Sequence, residues 1–150
     1  MFNALFILGI ILLDQFSKYM AKFFFEGGND KVLIEGMFSL TYLENRGAAF
    51  GIFKDQKFIL IGLTAIVIIS LIVYLYRHKK ITKLLRISLI LIIGGAVGNL
   101  IDRIYLGYVV DFFHFYIKDI FDWPVFNIAD ISVVCGTTLM AIAILFSKED

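Results

Sequence analysis

Four of the 13 acidic residues stand in strongly apolar company. Asp14 follows the run Ile10 to Leu13, Asp102 follows Leu100 and Ile101, Asp111 sits in Val109-Val110-Asp111-Phe112-Phe113, and Asp130 lies between Ala129 and Ile131. An ionisable group at membrane depth costs on the order of a few kcal/mol, so such a position is a candidate functional site unless a structural partner explains it. Asp14 and Lys18 are spaced i, i+4 and share one helix face, which suits a structural ion pair. Asp102 with Arg103 is explained equally well by simple helix termination, and Asp130 by an N-cap that uses orphan amides and the helix dipole. Asp111 has the weakest structural explanation, because two valines and two phenylalanines flank it and no basic residue stands beside it.

Two carboxylates brought close together in a low dielectric cannot both ionise, so one keeps a proton near neutrality while the other stays a base. Such a pair suits amide hydrolysis. The ionised partner activates a water, and the protonated partner polarises the scissile carbonyl and later protonates the leaving amine. Other chemistries fare worse. The two histidines, His78 and His114, provide no His-rich zinc site, and no H-E-x-x-H or Cys pair occurs, so no metal or other cofactor is expected. No G-x-S-x-G is present, and the single cysteine, Cys135, is expected to be buried in mid-helix, where a thiolate is disfavoured. Two further readings stay open: a proton-coupled transporter that uses the same carboxylates, and a structural scaffold in which they are caps and paired charges.

The elements that must position these groups follow from composition. The 150 residues are 60% apolar and 18% charged, against roughly 45–50% and about 25% in soluble domains, so lipid must solvate much of the surface. A net charge of 14 − 13 = +1 gives no case for nucleic acid as a partner, since duplex binding rests on clustered positive charge, and none is expected. Uncharged runs at Phe58–Tyr76, Ile87–Ile101 and Ile131–Phe146 predict three membrane-spanning helices. A fourth starts at Phe2–Leu13 and continues past Asp14, Lys18 and Lys22 to Phe25. A cleaved signal peptide is a poor reading of this N-terminus: Met1 to Ala4 carries no basic residue, and Asp14 and Lys18 occupy the place of a cleavage region.

Arg77, Lys79, Lys80, Lys83 and Arg86 crowd the connection between the second and third spans, which places that loop and both termini in the cytoplasm. The connections Glu26–Lys57 and Arg103–Asp130 are then outside, and Asp102, Asp111 and Asp130 meet at the outer end of the last two helices. Spacing and topology leave open which two of them would form the pair. In the first outer connection Phe38, Leu40 and Tyr42 alternate with Ser39 and Thr41, which predicts a half-buried strand before a turn at Glu44-Asn45-Arg46-Gly47. The second carries Tyr105, Tyr108, Phe112, Phe113, Phe115, Tyr116, Phe121, Trp123 and Phe126 and is expected to lie in the headgroup interface.

Five blocks in order resemble the lipoprotein signal peptidase (bacterial signal peptidase II) family: Asp14-Gln15-Phe16-Ser17-Lys18, Asn45-Arg46-Gly47-Ala48-Ala49-Phe50, Gly94 to Arg103, Val109 to Phe112, and Phe126 to Asp130. The resemblance implies a single integral-membrane peptidase domain over 1–150, mainly α-helical, with four transmembrane helices, a small extracytoplasmic β-cradle and an interfacial helical segment. It further implies an aspartic endopeptidase of the bacterial cytoplasmic membrane, with its active site at the extracytoplasmic face. That enzyme removes the signal peptide from diacylglyceryl-modified prolipoproteins and cuts before the lipidated Cys. By resemblance the catalytic pair is Asp111 and Asp130, while Asp14, Lys18, Asn45, Gly47, Asn99, Asp102, Arg103, Asn127 and Ala129 line or support the site. Beyond substrate and lipid no partner is expected, and the protein is expected to be a monomer. Asn99 and Arg103, one helical turn apart, are expected to hold Asp102 or the substrate backbone, and Asn127 to orient Asp130. Gly94, Gly95 and Gly98 thin the third helix for a neighbouring helix or a substrate helix.

Overall fold

A computed structural model of the chain describes residues 2–48, 53–78 and 80–146. The four apolar runs form α1 (Phe2–Phe25), α2 (Lys57–Arg77), α3 (Lys83–Tyr105) and α4 (Ile128–Leu145), each long and apolar enough to cross a bilayer. Even the shortest, α4 with 18 residues, spans roughly 27 Å at 1.5 Å per residue. The helices outrun the uncharged stretches because their ends are capped. Thr82 Oγ1 accepts from the Leu85 N–H at the start of α3, and the Asp102 carbonyl accepts from the Leu106 and Gly107 N–H groups at its end. Gly107 there takes φ +88°, the left-handed conformation that a side chain disfavours, and turns the chain into a strand.

The strands β1 (Lys31–Ile34), β2 (Phe38–Asn45), β3 (Val109–Ile117) and β4 (Phe121–Asp122) form one antiparallel sheet in the order β1-β2-β3-β4. They come from the two long connections, so the sheet caps the end of the bundle opposite the α2–α3 turn. The aromatic connection is therefore strand. The interfacial helical segment implied by the resemblance is not found among the described residues, because 109–117 instead pairs with β2 along its length. Residues 49–52, which follow the predicted turn, and Lys79 of the basic loop lie outside the described residues.

The β2 alternation is also broken. Leu40 pairs with Phe113 but Leu43 pairs with Asp111, so a bulge at Thr41 and Tyr42 shifts the register by one residue. Ser39, on the predicted polar face, is the buried residue of β2, while Phe38, Leu40 and Tyr42 are half-buried.

α3 is the central helix, packed by α1, α2 and α4. Its small residues admit the neighbours: Gly94 faces Ile10 of α1, Gly95 faces the Ala129 carbonyl and Ser132 of α4, and Gly98 faces Asp14 and Ala129. Close packing of neighbouring helices, one of the two uses expected for these glycines and not exclusive of the other, is seen at all three. From α4, Gly136 approaches Ile92 and the Ser88 carbonyl. On the opposite side Ile68 and Leu75 of α2 pack with Leu89, Ile90 and Ile93 of α3. Large side chains such as Phe58, Ile66 and Leu145 face outward, as helices solvated by hydrocarbon require. Cys135 is on that outward surface, not buried, because α4 presents Ala129, Ser132, Gly136 and Ala143 inward.

A Cβ at Gly136 would stand 2.7 Å from Ile92 Cγ1 and 2.9 Å from the Ser88 carbonyl, whereas one at Gly62 meets nothing within 4 Å. Gly136→Leu is therefore expected to lower unfolding free energy by about 1–3 kcal/mol, and Gly62→Ala to cause no loss, in thermal or denaturant unfolding of the solubilised protein.

Candidate active site

Lys18 lies on α1 with its side chain 3% exposed, in a region where a free ammonium could not stay charged. Its Nζ is 2.8 Å from Asp14 Oδ2 and 2.9 Å from Asp102 Oδ2, and it donates to Asn99 Oδ1 at 2.8 Å. The Asp14–Lys18 pair read from the i, i+4 spacing is present, but its charge is shared with α3. The other lone pairs are filled too. Asp14 Oδ1 accepts from the Ala129 N–H at 2.9 Å, and Asp102 accepts from the Val110 N–H at 3.1 Å and from Gln15 Nε2 at 2.9 Å. Gln15 also donates to the Gly98 carbonyl. The sequence reading passed over Gln15 as a site residue; its signal was a second polar residue next to Asp14 in an apolar helix.

Asp111 and Asp130 have a different kind of partner. Asn127 Nδ2 donates to Asp111 Oδ1 at 2.6 Å, and the Asn127 Oδ1 accepts the Asp130 N–H at 2.8 Å. The Asn127 N–H in turn donates to Asp130 Oδ2 at 3.2 Å, which completes a capping box at the start of α4. Asn127, not Asp130, is thus the N-cap, and one side chain touches Asp111 while it orients Asp130. Each acid has one further amide: Asn99 Nδ2 donates to Asp130 Oδ1 at 2.8 Å, and Asn45 Nδ2 to Asp111 Oδ2 at 3.0 Å. The backbone makes this possible. Phe113 and Phe126 exchange N–H···O bonds of 2.8 and 3.0 Å, which clamps the approach to α4 alongside β3 one residue from Asn127.

Asp111 is 1% exposed. Burial, and after it the charge of Asp130, push its carboxyl up to about 7, against the opposing pull of the Asn45 and Asn127 amides and the Lys18 ammonium. This buried acid can therefore hold or release a proton near neutral pH, as general acid–base chemistry requires.

Of the expected supports, Asn99 and Arg103 do not hold Asp102. Asn99 links Lys18 to Asp130, and Arg103 Nη2 donates to the Gly47 carbonyl at 3.2 Å. The reason is that Asp102 is already saturated by Lys18, Gln15 and the Val110 N–H. Asp102 is also no simple helix terminator, being 3% exposed. Asn45 Oδ1 accepts the Gly47 N–H at 3.0 Å and so shapes its own turn. Among the described residues, Arg103 Nε is buried without a hydrogen-bond partner. Beside this group, Leu43 to Ala48, Lys54 and Asp122 to Val125 line an open groove of about 600 Å³.

Residues 6–146 match the sequence model of the signal peptidase (SPase) II family. Proteins named lipoprotein signal peptidase are similar over nearly the whole chain. That of Clostridium tetani is 52% identical, covering 96% of this chain and 90% of the relative, and that of Clostridium acetobutylicum is 46% identical, covering 93% and 90%. Two solved bacterial membrane enzymes share the fold, each at 30% identity. One, at TM-score 0.88, covers 99% of this chain and 91% of that one; the other, at 0.83, covers 97% and 94%.

Removing the Lys18 ammonium leaves Asp14 and Asp102 buried without a counter-charge. Lys18→Met is expected to cost about 3–5 kcal/mol of stability, and adding Asp102→Asn to recover part of that loss, as measured by unfolding of the single and double variants.

Proposed function

Because the chain belongs to the signal peptidase (SPase) II family, and so is a multi-pass membrane peptidase that removes the signal peptide from prolipoproteins, we propose that it does so as an aspartic endopeptidase with Asp111 and Asp130 as its catalytic pair. The observation that carries this reading is the Asn127 bridge: one buried side chain holds Asp111 and orients Asp130, and among the described residues neither acid has an ammonium within hydrogen-bonding distance. Two acids that share a low-dielectric site retain one proton between them up to near-neutral pH.

In the proposed reaction the ionised partner takes a proton from water, and the oxygen of that water attacks the scissile carbonyl. The protonated partner donates a hydrogen bond to the carbonyl oxygen as it gains charge. Collapse of the tetrahedral intermediate breaks the C–N bond, and the leaving amine receives a proton from the pair. In the substrate class we propose, a diacylglyceryl-modified prolipoprotein, that amine belongs to the lipidated Cys and the new carboxylate stays on the signal peptide. Acyl chains and signal helix need not leave the bilayer, because the site lies where α3 and α4 meet the sheet. Arg103 Nε has an unused N–H for a substrate carbonyl, and Gly47 holds Arg103 in place. Asp14, Lys18, Asn99, Asp102 and Ala129 act as the scaffold beneath the pair. The sheet end faces outward from the bacterial cytoplasmic membrane, opposite the basic α2–α3 turn, and the chain works as a single-domain monomer.

Asp111→Asn and Asp130→Asn are each expected to lower cleavage of a diacylglyceryl-modified prolipoprotein in reconstituted vesicles by about 10²- to 10⁴-fold with folding retained, and the unlipidated precursor to stay uncut by wild type. Near-normal cleavage by either variant would refute the assignment. The sign of the pH dependence follows from the raised Asp111: its proton is present below about 7 and lost above it, so cleavage by wild type is expected to fall on an alkaline limb that starts near pH 7.

A further inference from the structure

Asn45 reaches Asp111 only because β2 is bulged. Were the pairing of Leu40 with Phe113 continued without a shift, Glu44 would stand opposite Val109 and Asn45 would project to the other face. The bulge instead sets Leu43 opposite Asp111 and Asn45 opposite Val109, which puts Asn45 on the Asp111 side and Glu44 on the reverse. A bulge leaves a residue out of the ladder, so something other than ladder hydrogen bonds has to keep it in place.

On the reverse face a hydrogen-bonded chain crosses at this point. The Tyr42 hydroxyl is 3.2 Å from the Tyr108 hydroxyl and donates to Glu44 Oε1 at 3.4 Å, while Arg46 Nη2 donates to Glu44 Oε2 at 3.1 Å. A phenol has one proton. With Tyr42 donating to Glu44, Tyr108 is the donor to Tyr42; Lys22 and Glu26 at the end of α1 are the charged groups that face the two tyrosines, Tyr108 also acts on Glu44, and Arg46 closes the chain on Glu44. Burial and the Tyr108 hydroxyl push the Tyr42 phenol above its ordinary range, so its proton is present at all working pH, and the Arg46 guanidinium holds Glu44 below its usual range, so the acceptor stays ionised. The chain starts in the turn before β3, crosses to the bulged residue of β2, and ends on the two residues that flank Asn45.

We infer that Tyr42 and Tyr108 are positioning residues for the peptidase, pinning the β2 bulge so that the Asn45 amide stays on Asp111. This rests on the assignment of Asp111 to the catalytic pair. Its consequence is electrostatic as well as geometric. The Asn45 hydrogen bond favours the ionised form of Asp111, so loosening it raises the pH at which the pair loses its last proton. Asp130, Lys18 and Arg103, the charged groups around Asp111, are untouched by a change at either tyrosine.

The test is the pH profile of prolipoprotein cleavage in reconstituted vesicles for wild type, Tyr42→Phe, Tyr108→Phe, Asn45→Ala and the Tyr42→Phe, Asn45→Ala double variant. Each phenylalanine variant is expected to lose about fivefold in kcat with KM little changed, and to move the alkaline limb to higher pH in the direction set by Asn45→Ala. In the Asn45→Ala background, Tyr42→Phe is expected to add nothing further. An alkaline limb unchanged from wild type in both phenylalanine variants, or losses at Tyr42 and Asn45 that multiply independently, would overturn the inference. If Tyr42→Phe fails to fold, Tyr108→Phe removes the same bond from the turn before β3 and decides the matter. Absence of cleavage by wild type would instead refute the peptidase reading, so the two failures are distinguishable.

Discussion

A lysine ammonium buried among apolar helices must be neutralised where it stands, and the contacts that neutralise Lys18 tie the sheet end of this molecule together. Asp14 is on its own helix, while Asp102 and Asn99 are on α3. Through Oδ1 of Asp14 the cluster reaches the Ala129 N–H at the start of α4, and through the Asp102 Oδ2 that Lys18 also contacts it reaches the Val110 N–H in β3. Four elements thus meet on one charge. In a low dielectric such a network is costly unless complete, and here the acceptors of Asp14 and Asp102 are filled by Lys18, Gln15 and backbone amides.

The same cluster explains how four carboxylates in one small volume divide into two kinds. Asp14 and Asp102 share the ammonium and hold the helices together. Asp111 and Asp130 receive only neutral amides, from Asn45, Asn99 and Asn127. An amide can hold a carboxylate in place without supplying the charge that would lock it in the ionised state. Burial then dominates, and Asp111 rises to about 7. The partner chosen for each acid, ammonium or amide, separates scaffold from proposed chemistry.

The sheet contributes by fixing where β3 can lie. Asp111 is gripped from β2 by Asn45 and from the α4 approach by Asn127, and both grips depend on backbone features: a one-residue bulge in β2 and the Phe113–Phe126 bridge. The helices contribute closeness. Gly95 and Gly98 let α4 and α1 approach α3 so nearly that Asp14, Ala129 and Asn99 come within hydrogen-bonding reach of one another's partners. Rigid elements on several sides suit the proposed pair, which would have to keep its geometry while it exchanges a proton.

The sequence alone determined the four spans, because hydrocarbon thickness sets a length that uncharged runs reveal directly, and it determined the Asp14–Lys18 pair, because i, i+4 spacing is a local property of one helix. It also exposed Asp111 as a carboxylate without a local partner, and the five family blocks marked the same region. What only the tertiary structure decided depends on contacts between elements far apart in the chain. The β2 alternation was legible, but a bulge depends on the partner strand, so the face of Asn45 was not. The aromatic wealth of 105–126 marked the segment, but that 109–115 is strand paired with β2 was not legible in it. Local spacing placed Asn99 and Arg103 beside Asp102; across the fold, Lys18, Gln15 and the Val110 N–H had already filled that carboxylate. Asn127 could be read as a neighbour of Asp130, three residues away, but its grip on Asp111 comes from another element, and hydrogen bonds between elements leave no periodicity in the sequence.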